Sequence, residues 1–185
     1  MVPLACNFVH KKEPTNDTPD LSGISEEEIV DFLAYQEKVR GANINEQTLL
    51  ATDYLNHFNE IVMALEMVPD MPELLDEAKE WQPKSYQVHL LDSTFSDREL
   101  AAEAYNHVLQ KFRKPFEQTI SQIDRLIATT IQRLESDLTQ DNMDLVRENA
   151  TAFSSVIQQL MDVASSIING SAKTMEQDEI DILIG

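Results

Sequence analysis

One cysteine and four glycines are all that the 185 residues contain of either type. Cys6 therefore has no partner for an internal disulfide. Asn-Gly occurs once, at Asn169-Gly170, and the scarcity of turn glycines beside plentiful Ala, Leu, Glu, Gln and Ile favours helix over sheet. No stretch of about 18 apolar residues exists, so no membrane span is expected. Positive charge is also short, with 14 basic against 33 acidic side chains and a net charge of -19. Such a surface repels phosphate backbones and anionic lipid, which argues against nucleic acid and membrane as partners and for a basic protein surface. Leu4-Ala5-Cys6 has the shape of a lipid-attachment site, yet neither a basic leader nor an apolar stretch precedes it, so cytoplasm is the expected compartment.

The 42% apolar content is enough for one domain with a core. Residues 1–24 hold Pro3, Pro14, Pro19 and Gly23 among polar residues and read as a flexible arm. Ser25-Glu26-Glu27-Glu28 is a capping box that opens a helix ended by Gly41. A second helix is expected from about Glu46 to Val68, because Leu50, Tyr54, Phe58, Ile61, Leu65 and Val68 recur at spacings of 4, 4, 3, 4 and 3. After Pro69, Asp70 as cap and Glu73 reaching back predict a short third helix that ends near Trp81. Ser85 to Phe95 fits a helical turn or an extended connector. Ser96-Asp97-Arg98-Glu99 starts a further helical run, with a kink or break near Lys114 before Pro115.

The most regular pattern begins at Phe116. Phe116, Ile120, Ile123, Ile127, Thr130 and Leu134 alternate by 4 and 3, as do Val146, Ala150, Phe153, Ile157, Leu160, Ala164 and Ile167 beyond a polar turn at 139–142. This predicts an antiparallel hairpin over 116–168, each arm about 35 to 40 Å long. The expected class is thus all-α, a helical bundle domain over 25–168 that contains this hairpin. Leu126, Ile131, Val156, Met161, Val163 and Ile168 widen the apolar faces beyond what two helices cover. Either the first helices fold back over them or a second copy forms a homodimeric four-helix bundle.

Catalytic and metal patterns are missing. His10, His57, His89 and His107 form no repeated Glu-x-x-His or His-x-x-x-His pair, and no nucleophile elbow, Walker loop or dinucleotide fingerprint occurs. No catalytic residue, metal or cofactor is assigned. Met63, Met67 and Met71 could form an adaptable groove, but methionines at helical spacing are usually core filler.

The chain ends in EQDEIDILIG, after a polar linker at 169–174. Thr174 and Gln177 fit a capping box, acids follow in the first turn, and Ile180, Leu183 and Ile184 share one helical face beside Asp181. A helix this short is marginal alone in water, so 175–185 is built to become helical against something. Its residues Gln177, Asp178, Glu179, Ile180, Asp181 and Leu183 follow the pattern Q-[DE]-E-I-D-x-L-L, with Ile184 at the last Leu. This stretch resembles the first peptide of the flagellar motor switch protein and is similar to the acidic C-terminal peptide of the chemotaxis phosphatase CheZ. Both dock as short helices on a phosphorylated response regulator, and the phosphatase is itself a long helical hairpin that dimerises. The resemblance implies a receiver domain as partner, with an apolar groove rimmed by basic residues. Gln177, Asp178, Ile180, Asp181, Leu183 and Ile184 are then the binding residues.

The phosphatase's Asp-x-x-x-Gln pair is not matched, since Ser154 and Ser155 precede Gln158 and Gln159 by four. Glu103 and Asn106 meet the Glu-x-x-Asn spacing of other phosphatases for this regulator, without the distant Pro. The expectation is a non-enzymatic binding or adaptor protein of bacterial signalling. The alternatives are a phosphatase that uses Gln158 or Gln159 to align water, and a structural dimer whose tail seals its own bundle.

Overall fold

Two long helices set the frame of the computed structural model, which describes residues 23–171 and 173–184. Helix α6 (Gln110–Thr139) and helix α7 (Met143–Ile168) run antiparallel, 30 and 26 residues long. The residues expected to face each other are buried, with Ile120 half-buried. The turn between them places Asp141 at φ 55°, and the Asn142 side chain caps α7 by accepting from the Leu145 amide at 3.2 Å. Just inside the turn, the buried Asp137 carboxylate accepts from Asn149 Nδ2 at 2.6 Å and pairs with Arg133 at 3.5 Å. A carboxylate taken out of water needs such donors, so this cluster fixes the register of the arms.

Helices α1 (Glu26–Lys38), α2 (Asn56–Met67), α3 (Leu74–Glu80), α4 (Tyr86–Asp92) and α5 (Arg98–Ala104) precede the hairpin, and α8 (Gln177–Ile184) follows it. Among the described residues every regular element is helical, and no helix is long and apolar enough to cross a membrane. Helix α2 lies along α7 and α3 lies on α6, so the chain's own earlier helices cover the wide faces of the hairpin. Of the expected flexible arm, only Gly23 and Ile24 are among the described residues.

The local signals are obeyed where nothing else claims the side chain. Ser25 and Glu28 form both bonds of the capping box. Ser85 caps α4, so the ambiguous stretch from Ser85 becomes helix with Tyr86 and Leu90 buried. Four expectations need correction. Helix α2 begins at Asn56, not near Glu46, because the Asn45 side chain accepts from the amides of Gln47 and Thr48 and forms a turn. Leu49 follows at φ 62°, and Thr48 Oγ1 donates to the Ile168 carbonyl at 2.6 Å, so this loop plugs the end of α7. Asp70 does not cap α3. Arg147 on α7 holds its carboxylate at 2.6 Å, and α3 starts only at Leu74.

The box expected from Ser96 to Glu99 does not form either: α5 starts at Arg98, so Asp97 takes the cap position, and its carboxylate accepts from the Asn43 amide at 3.0 Å instead of capping the helix. Finally, Pro115 does not break the helix. The interruption lies earlier, where Val108 and Leu109 are extended and buried, and α6 then runs unbroken through the proline. Pro115 is the sixth residue of α6, so it removes one amide near the helix start, where little helix precedes it to be bent.

Candidate functional site: the C-terminal helix and its groove

The C-terminal helix forms as expected but with a different start. Its first turn is closed at Glu176, whose amide donates to Glu179 Oε2 at 2.9 Å and whose carbonyl accepts from Ile180. The expected cap, Thr174, has no such role. Gln122 Nε2 on α6 instead donates to the Met175 carbonyl at 3.2 Å, which ties down the segment ahead of the helix. Gln177, released from capping, donates to Asp181 Oδ1 one turn along, at 2.9 Å.

Helix α8 packs on α7 and faces α6 across a cleft of about 300 Å³. Ile180 is 2% exposed and Ile184 is half-buried against the core. Leu183 is 44% exposed and Ile182 80% exposed. Gln177, Asp178 and Asp181 are exposed, with Gln177 and Asp181 at the rim of that cleft. Of the six residues assigned to binding, the structure thus turns Ile180 and Ile184 inward and leaves the other four at the surface. No basic side chain lies within α8, and its exposed edge carries Asp178, Glu179 and Asp181.

The groove side of this contact is not visible in the sequence pattern. Gln122, Arg125, Leu126 and Thr129 line it from α6, and Gln122 and Leu126 are buried. Leu126 reads in the sequence only as surplus apolar surface. Gln122 gives no signal, since its role depends on a carbonyl 53 residues away.

The other candidate groups are engaged in the fold. Gln158 Nε2 donates to Glu66 on α2 at 2.9 Å, and Gln159 is exposed on the same arm. Glu103 accepts from the Tyr35 hydroxyl, and Asn106 Oδ1 accepts from Gln87 at 3.2 Å. His57 stacks on Trp81 with ring centres 4.9 Å apart and accepts the Lys84 amide on Nε2. Burial, then the neighbouring His89 and Lys84, push its pKa down to about 4. His89 is lowered too, chiefly by burial. Among the described residues no three His, Cys, Asp or Glu side chains are placed to hold a metal ion.

Chemically, then, the C-terminal element is a short amphipathic acidic helix, seated through two isoleucines and one tethering hydrogen bond. No protein-family model, curated protein or solved structure matches this chain.

Proposed function

We propose that this protein is a non-enzymatic binding protein of bacterial signalling whose α8 is a recognition helix. Its partner is a receiver domain of a response regulator, met in the cytoplasm. The observation that carries this reading is the helix itself: it is acidic along one edge, apolar along another, and tethered by a short linker to the hairpin. Leu183 and Ile182 lie outside while Ile180 and Ile184 are covered, so the helix keeps a face available and has a second face that it can exchange. On the partner, Ile180, Leu183 and Ile184 enter an apolar groove, and Asp178 and Asp181 meet basic residues at its rim. Tethering raises the local concentration of the helix wherever the bundle also touches the partner.

The test uses a fluorescent peptide of residues 173–185 and the full chain, titrated with candidate receiver domains with and without beryllofluoride, which mimics the phosphoryl group. Saturable anisotropy that strengthens with beryllofluoride and disappears with Asp181→Lys supports the reading. No binding by either form, across the receivers of the native cell, overturns it.

A second reading rests on Ile180: at 2% exposed, it fits a tail that only seals its own bundle. The two part company in a chain ended at Lys173. A pure seal predicts a melting point lower by several degrees and unchanged partners. A recognition helix predicts lost partners and a small thermal change.

A further inference from the structure

Away from α8, a cleft of about 280 Å³ opens between the strap Pro83–Tyr86 and the α6 face from Phe116 to Asp124. Its walls are apolar, formed by Pro83, Ile120 and the rings of Tyr54 and Tyr105. The three tyrosine hydroxyls around it are already committed. Tyr54 donates to the Lys84 carbonyl at 2.9 Å, Tyr86 accepts from the Ala51 amide at 2.6 Å, and Tyr105 donates to Glu117 at 2.9 Å. Lys84, which lines the cleft, pairs with Asp92 at 2.9 Å, and Arg113 lies over the Tyr105 ring, 5.2 Å from its centre.

Asp124 is the exception. Its Oδ1 is buried with no hydrogen-bond partner, and no ion pair among the described residues includes it. Desolvation alone raises its pKa to about 6, with no neighbouring positive charge to offset it. At neutral pH the cleft therefore holds a carboxylate that lacks both water on one oxygen and a counter-charge, and the Glu117 carboxylate adds a second negative group to the lining. What this arrangement lacks is one positive charge on a slim apolar stem.

The geometry points to a binding site for an organic cation, an alkylammonium or guanidinium group whose head meets Asp124 and whose stem lies against Ile120 and Pro83. Such a group comes either from a free amine or from a lysine or arginine side chain of a partner. Both deliver the same head and stem. A cation fits the chain's overall charge of -19, which draws positive ligands towards the whole surface while the cleft selects among them.

The probes are n-butylammonium, n-butanol as its uncharged counterpart, and N-acetyl-lysine methylamide, each titrated into the full chain at pH 7.5 and followed by the backbone amide signals of Ile120, Ser121 and Asp124. Saturable shifts with butylammonium and none with butanol are expected. Asp124→Asn should weaken binding at least about tenfold, the scale of one charge-assisted hydrogen bond. Tighter binding of the lysine amide assigns the cleft to a partner's side chain, and tighter binding of butylammonium assigns it to a free amine. Equal shifts with butanol, or the same affinity in the Asp124→Asn chain, overturn the proposal. The Glu117→Gln chain, which keeps Asp124, should lose affinity less than Asp124→Asn does; a larger loss there would also overturn it.

Discussion

His57 is held by a ring stack on Trp81 and by the Lys84 amide, which donates to Nε2, a bond that only the neutral ring accepts. Its folded pKa of about 4 lies below the usual 6.5, so the unfolded chain takes the proton first. The contribution is complete above pH about 6.5 and is lost as pH falls towards 4. Asp124 has the opposite sign. Its folded pKa of about 6 lies above 3.8, so the native state takes the proton first, and the buried charge costs stability that accrues between pH about 4 and 6 and is constant above. Asp124→Asn should therefore stabilise the protein at pH 8 by roughly 1 kcal/mol, a figure discounted because water screens part of the carboxylate. The gain should vanish by pH 4. Urea denaturation of both chains at pH 8, 6 and 4 measures this, and a constant difference across the three would contradict it.

At the scale of elements, the periodic segments were legible and the reassigned caps were not. The seams of α6 and α7 follow from spacing, because burial along a two-helix contact is a property of the sequence pattern itself. The box at Ser25 was legible because its partners lie three residues apart. Asp70 resembles a cap by the same rule, but Arg147 binds it from 77 residues away. A local signal loses whenever a distant donor offers a better bond, and spacing cannot reveal that donor. The same limit hid Gln122 from the candidate site, while the acid-apolar alternation of α8 was visible at once. Ile180→Ser tests the element that mattered most. It removes the one fully buried α8 side chain, and should expose the Gln177–Ile184 amides to fast hydrogen exchange while those of α6 and α7 stay protected. Protection unchanged in α8 would mean that the seat depends on Gln122 rather than on the isoleucine.

Over the whole molecule, 33 acidic side chains face 14 basic ones, and the ion pairs among the described residues are few. Most of those pairs are exposed and contribute about 0 to 1 kcal/mol each. Salt screens the repulsion as well as the pairs, and the repulsion is the stronger of the two. The melting point should therefore rise between about 0.02 and 0.3 M sodium chloride, where the Debye length drops below 10 Å. A fall would show that the pairs at Arg147–Asp70 and Lys79–Glu135 matter more than net charge.

The bond from Thr48 to the Ile168 carbonyl has a consequence for synthesis, since it joins residues 120 positions apart. Leu49 and Leu50, fully buried in the finished fold, leave the ribosome long before α7 exists to receive them. Helices α2 and α3, which rest on the arms, must wait with those faces uncovered until both arms have emerged. A nascent chain arrested at Thr139 should be cut by protease within α2 and α3. One extended until Ile168 has cleared the exit tunnel should resist.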